Sequence, residues 1–210
     1  MAVRTKIFKQ DEYNCPMKEV RTKIKVPEGE FKVSALQFDI GDKAYFAEFY
    51  TNWRKLCDES RKIGGTRQIN TPEAMSEGIF CMMTGSIKIL DKKPKLPPKV
   101  VSSFDCYDQL KKSRIQIKAS ANLTSPTSYG PRSQWDEIYF MDFEVNGDFK
   151  GDYRIYEIDS YVIDNVIVNN KKNITFKEMQ SSGKRPRFSI YKKIIEPLNM
   201  KPIFEDNLYS

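Results

Sequence analysis

Asp105, Gln116 and Lys118 are the residues whose types and spacing first suggest chemistry. They lie in residues 103–120, a stretch that reads as two short strands joined by a polar turn near Leu110 and Lys111. In the second strand Ile115 and Ile117 alternate with Gln116 and Lys118, the period-two signature of a strand with one face on a core. The isoleucines take the core face, so Gln116 and Lys118 share the other. Folded as a hairpin, the stretch sets Asp105 across from Gln116 or Lys118. One carboxylate, one amide oxygen and one ammonium then meet at one patch, able to hold a divalent cation and a water beside a phosphate. Asp108 is the second choice for the carboxylate, but it differs from Asp105 in strand parity. A solvated strand face gives the same pattern without any chemistry, so the rest of the chain has to decide.

The elements that must position these residues follow from periodicity. At 210 residues, 40% hydrophobic and 12% aromatic, the chain is long and apolar enough to bury a core. Residues 42–62 form an amphipathic helix, with Tyr45, Phe46, Phe49, Tyr50, Trp53, Leu56 and Cys57 at three- and four-residue spacing. Asn70-Thr71-Pro72-Glu73 starts a second helix, with a capping side chain before the proline, and Gly85 ends it. Glu77 lies in that helix: either it edges out to solvent or it is a second acid for the site. Strands are expected at 86–90, 100–107, 115–120, 138–143 and 153–158, the last two forming a hairpin around Asn146-Gly147. Residues 31–40 read equally as strand or helix, 160–168 are ambiguous, and 173–180 suit a helix. The fold class is α/β or α+β, a mixed central sheet flanked by helices. Its expected divisions are an N-terminal arm at 1–30, one domain at 31–195 with its core at about 70–160, and a tail at 196–210.

Composition narrows the chemistry. There is no histidine, which removes Ser-His-Asp and Cys-His catalysis and histidine-metal nucleases. Hydrolysis by this chain has to use carboxylates, lysine and a metal. Cys15, Cys57, Cys81 and Cys106 show no zinc-site spacing; Cys57 and Cys81 read as buried thiols, and Cys106 faces away from Asp105. No apolar run approaches transmembrane length and no secretory signal opens the chain, so the expectation is a soluble cytoplasmic protein with no membrane partner. The net charge of +7 is uneven: residues 171–193 hold eight Lys or Arg against Glu178, whereas 136–164 hold nine acids against Lys150 and Arg154. A basic flank of that kind suits a polyanion. Lys184, Arg185 and Arg187 are its densest part and suit phosphates. The polar loop at 121–133 leaves the Gln116–Lys118 strand directly; its Asn122, Thr124, Ser128 and Arg132 can donate to base edges or phosphates.

A helix with Glu77, a strand, an Asp105 strand and then Gln116-Ile117-Lys118 is an order that resembles the PD-(D/E)XK nuclease superfamily. The following 135–143 segment and the 183–188 basic element are similar to small type II restriction endonucleases, closest to the Bsp6I family, cutters of a GCNGC-like site. The resemblance covers roughly residues 70–195. Two departures stand out: Phe104 replaces the usual proline before the aspartate, and Gln116 replaces the acid of the D/E-x-K strand. The resemblance implies Mg²⁺-dependent hydrolysis of double-stranded DNA at a short palindromic, GC-rich site, by a homodimer paired with a cognate DNA methyltransferase. It implies that Asp105, the Gln116 oxygen and the Ile117 carbonyl hold Mg²⁺, with Glu77 as a further acid, and that Lys118 orients the attacking water. A repair, nicking or junction-resolving nuclease on the same core, or a non-catalytic DNA-binding module, are the alternatives.

Overall fold

The computed structural model describes residues 17–65, 69–90, 103–120, 122–131 and 133–210. In chain order, β1 (Lys18–Val26) and β2 (Gly29–Gln37) precede α1 (Lys43–Lys62) and α2 (Glu73–Thr84). β3 (Ile87–Ile89), β4 (Cys106–Asp108), β5 (Ser113–Ser120) and the short β6 (Thr127–Ser128) follow. Then come β7 (Glu137–Asp142), β8 (Asp152–Ile158) and α3 (Ser160–Asn165). β9 (Ile167–Asn169), β10 (Ile174–Thr175), α4 (Phe176–Ser181), β11 (Arg187–Phe188) and β12 (Phe204–Asn207) complete the described chain. Eight strands form one sheet in the order β1-β2-β3-β4-β5-β7-β8-β12. Every pairing is antiparallel except β5 with β7. This is the expected fold class, a mixed sheet flanked by helices.

Both faces of the sheet are covered. On one, α1 and α2 pack Phe46, Tyr50, Trp53, Met75 and Ile79 against Ile115, Ile117 and Met141. On the other, Tyr129, Phe176, Phe188 and Ile190 pack against Ile138, Phe140 and Tyr156. The aromatic stripe of α1 is split by this arrangement: Phe46, Tyr50, Trp53 and Cys57 are buried, while Tyr45, Phe49 and Leu56 are exposed. Helix α2 begins without the expected cap. Pro72 itself holds the N-cap position and no side chain bonds there, so the helix rests on its buried face, each large apolar side chain contributing about 1.5–3 kcal/mol. Its end is as read, at Gly85 with φ 72°. Midway along it, Gly78 lets α1 approach: a Cβ there would lie 2.5 Å from the buried ring of Phe46. Gly78→Ala should lower stability by about 1–2 kcal/mol, because overpacking exceeds the gain in helix propensity. Thermal melting checks this, and an unchanged or raised midpoint would mean that the Phe46 ring moves aside freely.

Two stretches set apart by composition are edge strands instead. Within the expected arm, β1 pairs with β2 along its whole length, and Val20, Thr22, Ile24 and Val26 point inward. Lysine density disguises that alternation. Within the expected tail, β12 pairs with β8, Leu208 is buried in the α1–α2 core, and Lys43 Nζ holds Asp206 at 2.8 Å. The ambiguous residues 31–40 are mainly strand, and 160–168 divide into α3 and β9. The β7–β8 hairpin turns where expected, with Asn146 and Gly147 both at positive φ.

Candidate active site

The β4–β5 register pairs Cys106 with Ile115 and Tyr107 with Arg114, which sets Asp105, one residue before β4, across from Gln116. The backbone of Asp105 is fixed on both sides: its N–H donates to Ile115 O at 2.8 Å and its carbonyl accepts from Ile89 N at 3.1 Å. Its carboxylate accepts from Ile117 N at 2.8 Å and from the Gln116 side-chain amide. The same Gln116 nitrogen lies 3.3 Å from Ile117 O. An N–H₂ group therefore stands between the Asp105 carboxylate and the Ile117 carbonyl. Those two oxygens and, after rotation of the amide, the Gln116 oxygen make a hard-oxygen donor set that suits Mg²⁺.

Gln116 does not lie on a solvated face. It is 4% exposed, enclosed because the second layer covers its side of the sheet. A polar side chain buried there needs a partner, and Asp105 supplies it. Lys118, next along the same face, holds its ammonium 5.5 Å from the centre of the Tyr129 ring. Asp108, the alternative acid, accepts from Leu110 N and Lys111 N and so caps the β4–β5 turn.

Glu77 reaches the site's surroundings from the opposite sheet face, where α2 packs on Cys106. Cys81 Sγ and Cys106 Sγ are 3.2 Å apart there, both buried free thiols along with Cys57; Cys15 is outside the described residues. Glu77 forms an ion pair with Lys88 at 2.7 Å, a partner that its place in the sequence does not announce. Burial raises the Glu77 carboxyl above its ordinary range, and the Asp105 charge adds to this against the pull of Lys88. Asp105 is also raised, chiefly by burial and less by Glu73; the Ile117 N–H, Lys118 and Lys88 oppose the shift. Sequence reasoning misses Glu73 and Lys88. Glu73 is signalled by its i, i+4 relation to Glu77, and Lys88 by its position between Ile87 and Ile89 in the neighbouring strand. Among the described residues no three acid or thiol side chains gather to hold a cation, so a cation at Asp105 relies on neutral oxygens.

The two groups of expected DNA contacts come together. Ser128 in β6 pairs with Arg187 in β11, and Tyr129 N donates to Pro186 O at 3.1 Å. Tyr129 stacks on Phe188 at 5.5 Å between ring centres, so this ribbon roofs the Lys118 side chain. Lys184, Arg185 and Arg187 are exposed along its approach. Asn122 is exposed and bonds within its own loop: its Oδ1 accepts from Thr124 N and Thr124 Oγ1. Arg132 lies outside the described residues. Beside the ribbon, Arg114, Ser133, Gln134, Trp135, Lys177 and Gln180 help line a groove of about 580 Å³. Arg114, itself buried, forks onto Asp136 at its base.

No described helix is long and apolar enough to cross a membrane. No solved structure matches the chain. A curated relative, the type II restriction enzyme Bsp6I of Bacillus sp. (strain RFL6), is 29% identical over 175 residues, covering 82% of this chain and 88% of its own. The sequence model of the Bsp6I restriction endonuclease family matches residues 38–197, from the end of β2 through the basic ribbon. With three quarters of its length inside that match, the chain belongs to the Bsp6I restriction endonuclease family.

Proposed function

We propose that this restriction endonuclease hydrolyses both strands of duplex DNA at a short palindromic, GC-rich site, with Mg²⁺ held at Asp105, Gln116 and the Ile117 carbonyl. The single observation that carries the reading is the Gln116 amide, buried and wedged between the Asp105 carboxylate and the Ile117 carbonyl. Bound there, Mg²⁺ supplies positive charge to the phosphate oxygens as they gain charge in the transition state. Asp105 contributes the one formal charge of the donor set. Lys118, its ammonium held over Tyr129, orients the attacking water and stabilises the hydroxide left when that water gives its proton to solvent. Glu77, tied to Lys88, tunes the field at Asp105 rather than joining the donor set. A palindrome presents two equivalent strands, so the working form is a two-fold homodimer. Its place is the cytoplasm, where a cognate methyltransferase protects the host's own sites.

Digestion of a plasmid with Mg²⁺ tests this. Discrete fragments whose sequenced ends share one palindrome are expected. A random smear or single-strand nicks would overturn the restriction reading in favour of a repair, nicking or junction nuclease. Tight binding without cutting in Mg²⁺ or Mn²⁺ would leave a binding module. In the same reading Lys184 and Arg185 grip phosphates. Changing each to alanine should weaken binding to all duplexes alike and lower the slope of log affinity against log salt by roughly 0.9 each. Relaxed preference at one base pair would instead make them readers of sequence.

A further inference from the structure

We propose that the outer face of the β1–β2 hairpin is a second grip on DNA, holding the phosphate backbone of duplex that flanks the cleaved site. The inference rests on the nuclease reading above and concerns residues that precede the family match at 38–197. Strand alternation puts Val20, Ile24, Val26, Val33 and Ala35 inside, packed on Ile87 and Tyr107. The Tyr107 hydroxyl clamps this layer by accepting from Lys25 N at 3.0 Å and donating to Lys25 O at 2.9 Å. Arg21, Lys23, Lys25 and Lys32 therefore all point outward and are exposed. The register brings them together, with Lys23 opposite Lys32 and Arg21 opposite Ser34.

Two cations facing each other across a strand pair repel and are not placed there for stability. Glu30 offsets Lys23 at 2.8 Å, and Glu19 lies at the far end of the face, while Arg21, Lys25 and Lys32 have no ion pair among the described residues. Arg21, Lys23, Lys32 and Ser34 border an open groove of about 810 Å³. An excess of unpaired cations along a groove calls for a polyanion.

Position selects which polyanion. Ser34 and Leu36 share one face of β2, on which Leu36 packs against the α1–α2 core, and Leu36 pairs with Lys88, the partner of Glu77. The cations thus lie with Lys88 on the sheet face opposite Gln116 and Lys118, but toward the same end of the sheet as Asp105, since Leu90 N donates to Ser34 O at 3.0 Å and Ile89 N to Asp105 O at 3.1 Å. One or two strand spacings and two to four residues separate them from Lys88, about 12–17 Å. That is about four or five base-pair rises along a duplex, a span covered by DNA that runs past this end of the sheet.

Arg21→Ala, Lys23→Ala and Lys32→Ala, singly and together, test the inference, with affinity for a duplex containing the cut site and for an unrelated duplex measured in EDTA over a range of KCl. The triple variant should bind both duplexes more weakly and lose roughly 2–3 from the salt slope. Single-turnover cleavage at saturating protein should remain at the parent rate, and Arg21→Lys should keep the parent slope. A triple variant with the parent slope and affinity overturns the hairpin grip while leaving the nuclease reading intact. A parent protein that binds no duplex overturns that reading and the grip with it. Since all three side chains are exposed, an unchanged melting temperature excludes loss of fold as the cause.

Discussion

Lys118→Ala is expected to lower the rate of DNA cleavage by about 10²–10³-fold, the usual size of a lost charge-stabilising donor, while duplex affinity changes by no more than a few-fold. The ammonium is fixed by geometry: β5 aims it at the ribbon, and the face of Tyr129 attracts a cation. Its charge also acts on Asp105, opposing the rise that burial imposes on that carboxyl. Removing it therefore makes the Asp105 carboxylate harder to keep ionised and, in the proposed reaction, takes away the group that orients the water. Lys118→Met separates chemistry from packing, since it retains most of the stem against Tyr129. If the methionine variant melts like the parent and does not cut, the lysine acts on the reaction. Lys118→Arg should also fail, because a planar fork does not present a point charge in the same place. Equal losses of binding and cutting in the alanine variant would mean that Lys118 holds DNA instead.

Gln116→Ala should abolish Mg²⁺-supported cutting, and Gln116→Glu should keep it at a lower metal requirement. The parent amide's N–H₂ group satisfies Asp105, and in the proposed site its oxygen would join the donor set once a metal binds. Alanine removes both. Glutamate keeps the shape and attracts Mg²⁺ more strongly than a neutral oxygen, but without a cation it sets two carboxylates side by side in a buried place. One proton would then be bound more tightly in the folded state than in the unfolded one. A carboxyl raised on folding weakens stability as pH climbs through its folded value. The metal-free glutamate variant should accordingly melt lower at pH 8 than at pH 5, relative to the parent, and Mg²⁺ should restore it by more than it shifts the parent. Mg²⁺ titrations of cleavage and melting curves with EDTA or Mg²⁺ provide the measurements. An alanine variant that cuts like the parent would remove Gln116 from the site and require the metal to be held elsewhere.

Sequence alone determined the local features of this protein. The spacing of Phe46, Tyr50, Trp53 and Cys57 made α1, the 12-residue helix α2 ended at Gly85, and alternation at Ile115 and Ile117 made β5. Turn chemistry between Asp108 and Ser113 narrowed the partner of Asp105 to Gln116 or Lys118, because a short hairpin restricts its own register, and the β4–β5 pairing chose Gln116. The missing histidine confined the chemistry before any fold was known.

What only the tertiary structure decided depends on partners distant in the chain. Period-two alternation shows which side chains share a face, but not whether a second layer covers it; so Gln116 read as outward and is buried. Charge density in residues 18–26 and 204–207 concealed edge strands, which need few apolar residues since only one side of each is paired. Ser128 and Arg187, 59 positions apart, became neighbours through a two-residue pairing too short to leave any periodic signal. Glu77 acquired Lys88 because α2 packs on the sheet face that Lys88 of β3 shares with Cys106. Local physics thus brought Gln116 and Ile117 beside Asp105, and the packing of α2, β3 and the β6–β11 ribbon set the charges around that carboxylate and the roof over Lys118.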